Sequence, residues 1–156
     1  MKFKAFIIII ILFNICASFQ SANGYQTECV NIGIDSYVTI KIWDVQKGPK
    51  YTLQQAQKDA IHSIIFSGIS GNNGCIAQPP ILNKKEDLEN FQNIEKSFFD
   101  QKGMWSIFTK GSATETTIPS SIGSKNWKVY QVTVSTKELR KYLEEQKIIK
   151  SMSNGF

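Results

Sequence analysis

The sequence predicts an α+β fold: a two-layer sandwich in which a small, mostly antiparallel sheet of about three to five strands carries its helices on one face. Three observations predict it. Residues 52–68 have helical apolar periodicity with marked ends. Residues 37–45 alternate as a half-buried strand. The coarse order is strand, helix, helix, strand, strand, helix, whose last two strands read as an antiparallel hairpin with the helices gathered on one side.

Taken in order, residues 1–22 have the layout of a secretory signal. Lys2 and Lys4 are its positive start, Ala5–Phe13 is its apolar run, and small residues follow at Ala17, Ser18, Ser21 and Ala22. The run is too short to span a hydrocarbon core of ~30 Å as a helix, so a cleaved leader is expected rather than a membrane anchor. Cys16 raises the rival of a lipid-anchored N-terminus, but Ile15 stands where such signals place a small residue and Phe13 where leucine is usual. The expected location is periplasmic or secreted, with no transmembrane span once the signal is removed.

Residues 23–150 then form one domain, and 151–156 a frayed tail that begins to loosen from Lys147. Asn23–Glu28 is polar and reads as loose, and Cys29–Ile34 as a weak strand. In Tyr37–Val45, Val38, Ile40 and Ile42 face one way; Thr39 and Lys41 face the other, with Tyr37 and Trp43. Lys47–Lys50 is a turn. In the following helix, Thr52 and Gln55 form a capping box. Leu53, Ala56, Ala60, Ile61, Ile64 and Ile65 share a face, whose two alanines permit close approach to a sheet, and Gly68 supplies the end. The glycines at 68, 71 and 74 follow a helix rather than precede one, so they read as a loop and not as a phosphate cradle.

Asn83–Phe98 reads as a second helix, capped by Asn83 and Glu86, with a stripe of Leu88, Phe91, Ile94 and Phe98. Met104–Thr109 reads as a strand. Gly111–Ser124 is a loop or hairpin tip, and Asn126–Val134 a strand with room for a bulge. Ser135 and Glu138 offer a third capping box, opening a helix marked by Leu139, Tyr142, Leu143 and Gln146.

Charge and chemistry narrow the function classes. The net charge of +5 falls to +3 without Lys2 and Lys4, and the lysines are scattered, so no nucleic-acid partner is expected. His62, the single histidine, lies away from the Ala56–Ala60–Ile64 face and reads as solvent-exposed. There is no GxSxG, HExxH or CxxC; no catalytic residues, metal ligands or cofactors are expected, and the chain reads as a non-enzyme. Cys29 and Cys75 are expected to pair as a disulfide in an oxidising compartment, closing a loop of 46 residues. Trp43 and Trp127, on the second faces of their strands, form a candidate aromatic binding patch.

The segments VTIKIWDVQKGP, AQKDAIHSIIFSGI, QPPIL, FFDQKGMWSIF and YQVTVSTKELRKYLEEQKII resemble a set of uncharacterised exported proteins of gut-type Bacteroidota, over about two-thirds of the chain in order. The strand followed by an alanine-rich helix is also similar to small envelope modules of outer-membrane assemblies. The first resemblance implies a cell-envelope setting and brings no catalytic residues. The expected function is therefore a non-catalytic envelope protein that binds an envelope protein partner or helps assemble a complex. The alternative is a small-ligand or glycan binder using the aromatic patch.

Overall fold

A computed structural model describes residues 24–72, 74–114 and 128–151. The predicted leader with Cys16, the stretch 115–127 with Trp127, and residues 152–156 lie outside the described residues.

Four antiparallel strands form one sheet, in the order β1-β2-β4-β3. Strand β1 is Tyr25–Ile32, β2 is Tyr37–Asp44, β3 is Thr109–Thr114 and β4 is Val129–Ser135. β1 and β2 meet through a tight turn in which the Gly33 amide donates to the Tyr37 carbonyl. Tyr25 stands opposite Asp44, so residues 25–28 are strand and not the loose entry that their polarity suggested. Pairing along the full length of β2 satisfies backbone groups that composition alone leaves unassigned. The register shifts between Cys29 and Asn31, a bulge in β1, whereas Val129–Ser135 of β4 pair without a shift.

The centre of the sheet joins β2 to β4, with Val38 opposite Val134, Ile40 opposite Val132 and Ile42 opposite Tyr130. These six side chains are buried and form the floor of the core. Each fully buried aliphatic contributes about 1.5–3 kcal/mol relative to exposure.

Among the described residues there are three α-helices: α1 (Leu53–His62) and α3 (Thr136–Glu145) pack on the sheet, and α2 (Lys85–Phe98) packs beside them through Phe91 on Phe66 and Phe98 on Phe108 and Tyr142. In α1 the capping box is complete, with Thr52 Oγ1 accepting from the Gln55 amide and the Gln55 side chain accepting from the Thr52 amide. Ala56 and Ala60 are fully buried. They bring the helix down on the sheet so closely that a Cβ added at Gly111 of β3 would lie 2.9 Å from Leu53 Cδ1. The helix continues as a π-turn over Ser63–Ser67 and stops at Gly68, where φ is +76°. A Cβ there would meet the Gln78 carbonyl oxygen at 2.3 Å, so glycine is required by space as well as by conformation.

The other elements depart from the sequence reading in detail. α2 begins at Lys85, with Lys84 as N-cap and no side-chain cap, so the Asn83–Glu86 box does not form. The chain enters α2 extended, because the Ile81 and Leu82 amides donate to Ile64 and Ile65. Phe91 and Phe98 are buried as expected, but Leu88 is exposed and Asp87 takes the buried position beside it. Met104–Phe108 is a 3-10 helix, not a strand. Trp105 and Phe108, three residues apart, turn inward together, while Met104 and Ile107 turn outward. The hairpin partner of β4 therefore starts only at Thr109. Ser135 is the N-cap of α3 without a side-chain bond. Nor does the chain fray from Lys147: Ile148 and Ile149 are buried, and both donate backbone bonds to Leu143.

Candidate functional site

Cys29 and Cys75 form a disulfide with Cα atoms 6.2 Å apart. Alternation from the buried Tyr25 puts Cys29 on the core side of β1, opposite Ile40, and a short bridge between Ile69 and Gln78 closes the loop that carries Cys75. The two sequence-predicted cysteines are thus brought together, and they serve as a staple between an edge strand and the loop after α1. Such a bond fits a non-cytoplasmic location.

The outer face of the sheet is polar. Thr39 and Thr133 hydroxyls meet at 2.9 Å, and Lys41 stands between Glu28 and Gln131 in the two registers. Trp43 lies on this face, half-buried, opposite Gln26. Its indole Nε1 is buried with no hydrogen-bond partner among the described residues. Trp127, its expected companion in an aromatic patch, lies outside the described residues.

His62 is not solvent-exposed. It is half-buried, with its ring centroid 4.5 Å from that of Phe66 and 6.1 Å from that of Phe99, and 6.0 Å from that of Tyr25 in an edge-on arrangement. Burial holds its pKa below the ordinary histidine value, against an opposing pull from Asp59 and Glu95. The sequence showed a histidine on the polar side of a helix; the strand that covers it comes from β1, and nothing local marks that.

A polar cluster absent from the sequence reading sits where β2 turns into α1. Asp44 is buried and accepts from the Gln46 and Lys47 amides at 2.8 and 2.9 Å. Lys47 Nζ reaches Asp44 at 3.3 Å and Asp59 at 3.9 Å. The fully buried Tyr51 donates its hydroxyl to Asp59 Oδ2 at 2.9 Å, and Tyr130 donates to the Tyr51 carbonyl at 3.0 Å. Burial pushes the Tyr51 hydroxyl far above the ordinary tyrosine range, with the Asp59 carboxylate adding to the shift. Burial also raises Asp59, although the Tyr51 bond and Lys47 oppose it. Every polar member has a partner inside the cluster, so its chemistry is that of a lock between β2, α1 and β4. A recoverable sequence signal was Asp44 itself: an aspartate ending a strand two residues before free amides is a turn former.

Among the described residues, no group of three or more His, Cys, Asp or Glu side chains converges to hold a metal ion. No helix among them is long and apolar enough to cross a membrane. No protein-family model, curated protein or solved structure matches this chain. The reading of its role therefore rests on its own geometry.

One exposed apolar pair stands out on that geometry. Met104 and Ile107 are 42% and 66% exposed. They sit three residues apart on a 3-10 turn, where such side chains eclipse one another. Trp105 and Phe108 anchor the same turn from beneath, and the Trp105 Nε1 donates to the Asp100 carbonyl at 2.8 Å. The pair is presented on a fixed base.

Proposed function

We propose that this chain is an exported, non-catalytic protein of the cell envelope, of the kind its sequence resembles, and that it binds a partner protein through the Met104–Ile107 surface. The observation that carries the reading is that exposed apolar pair on a rigid, aromatic-anchored turn; a contact centred on apolar side chains over a packed base is what partner surfaces use. The Cys29–Cys75 bridge supports the envelope setting. The test is a photo-cross-linking residue placed at 107 in envelope-bearing cells, with one at the exposed Glu89 of α2 as control. A single stoichiometric adduct from 107 and none from 89 is expected. Recovery of the protein alone, uncross-linked and monomeric, overturns the reading.

A second reading is favoured by the half-exposed ring of Trp43 on a polar sheet face: binding of a glycan or other small ligand there. Quenching of tryptophan fluorescence by sugars or lipids, lost in Trp43→Phe, would support it. A flat response across a broad panel would remove it.

A further inference from the structure

Arg140 is the only arginine of the chain; all its other strongly basic side chains are lysines. It stands half-buried on α3 and is common to two adjoining cavities of about 270 and 520 Å³, which also share Ser36 and Thr136. The larger alone falls within the ~300–1,000 Å³ of small-ligand clefts. None of the ion pairs among the described residues uses Arg140. One edge of the groove is held together, because the Thr136 amide and hydroxyl both donate to the Ser36 carbonyl, at 3.0 and 2.6 Å.

We propose that this groove binds the terminal carboxylate of a short apolar peptide. A guanidinium offers a planar fork that pairs with both oxygens of a carboxylate, which a lysine ammonium does not. On one side of Arg140 the inner cavity is lined by Pro79 and by the edges of the buried Ile64 and Ile69, with Gln78 among its polar residues, which leaves room for an apolar side chain attached next to the charge. On the other side Lys137 and Lys141 line the outer cavity with one acid, Glu144, and Lys141 is itself paired with Glu145 at 3.9 Å, so Arg140 and Lys137 supply the groove's positive charge. Inorganic phosphate would satisfy the fork and make no use of Pro79 or the isoleucine edges beside it. The carboxylate can come from a free dipeptide or from the last residues of a protein chain; these differ at the other end, by an ammonium or an acylated nitrogen. The groove shares no residue with the Met104–Ile107 surface, so the two proposals stand or fall separately.

The test is calorimetric titration of the purified, disulfide-intact protein with acetyl-Leu-Leu, Leu-Leu, acetyl-Leu-Leu-amide and inorganic phosphate. At least one free carboxylate form is expected to bind, with the amide at least tenfold weaker. Preference for the acetylated form identifies a protein C-terminus, and preference for the free amine identifies a dipeptide. Arg140→Gln should abolish the discrimination between acid and amide, and Arg140→Lys, which keeps the charge and loses the fork, should weaken acid binding severalfold with an unchanged melting temperature. Binding by no peptide, equal binding of acid and amide, binding of phosphate alone, or unaltered binding in both variants overturns the proposal.

Discussion

The Tyr25 hydroxyl lies 2.9 Å from Nδ1 of His62, tying the edge strand β1 to the end of α1 across 37 residues of chain. Because burial depresses the folded pKa of His62 below its unfolded value of about 6.5, the unfolded chain takes up the proton first as pH falls. The sign follows: the stability due to neutral His62 is fully present above about pH 6.5 and is lost as pH drops from there through the folded pKa. Melting temperature should therefore fall across that window in the parent protein, and the fall should be smaller in His62→Gln. Parallel profiles for the two proteins would show that His62 does not carry the effect.

The Tyr51–Asp59 bond makes a second prediction. Tyr51→Phe keeps the buried ring and removes the hydroxyl that donates to Asp59. A hydrogen bond to a charged group contributes about 1.5–3 kcal/mol, and urea unfolding at neutral pH should register a loss of that order. A loss below about 0.5 kcal/mol, the size of an ordinary surface change, would mean that water replaces the hydroxyl at no cost.

Two glycines separate strain from crowding. Gly74 has φ of +84° and nothing within 4 Å of an added Cβ, so Gly74→Ala should cost only the left-handed backbone penalty of about 1–2 kcal/mol. Gly68, at φ +76° and ψ −168°, adds the collision with Gln78, Pro79 and Pro80 to a positive-φ backbone of its own. Gly68→Ala should cost about 3 kcal/mol or more. Equal thermal shifts in the two variants would contradict this difference.

For the disulfide, thiol counting on unfolded, unreduced protein lacking residues 1–22 should find no free thiol, and two after reduction. Opening the 46-residue loop should lower stability by up to about 4 kcal/mol. Two free thiols before reduction would refute the bond for the protein in its own compartment.

What could be read from the chain depended on whether the deciding contact was local. The α1 capping box was legible because Thr52 and Gln55 act on each other within one turn. The cysteine pair was legible by elimination, since export would leave only Cys29 and Cys75. The start of α2 was not, because backbone bonds from Ile81 and Leu82 to Ile64 and Ile65 hold the chain extended past Asn83. The 3-10 turn was hidden by brevity: in MWSIF a spacing of three for Trp105 and Phe108 competes with an alternation of two. The end of α3 escaped notice because Lys147, not glycine, takes the left-handed position at φ +58° that turns Ile148 and Ile149 back onto the core. Asp44 as a turn former was legible locally, but the Tyr25 contact of His62 and the Tyr130 bond to Tyr51 come from β1 and β4, which no local pattern announces.

The pairing of β2 with β4 also sets a timetable. Residues 37–42 leave the ribosome well before residues 130–135, which complete their hydrogen bonding. Until then β2 has only β1 beside it, and a lone two-stranded ribbon is marginal in water. Contacts so distant in sequence form slowly, because the intervening chain must first be gathered in. The centre of the sheet therefore closes only once β4 has been made, and the burial of Val38, Ile40 and Ile42 waits on that step.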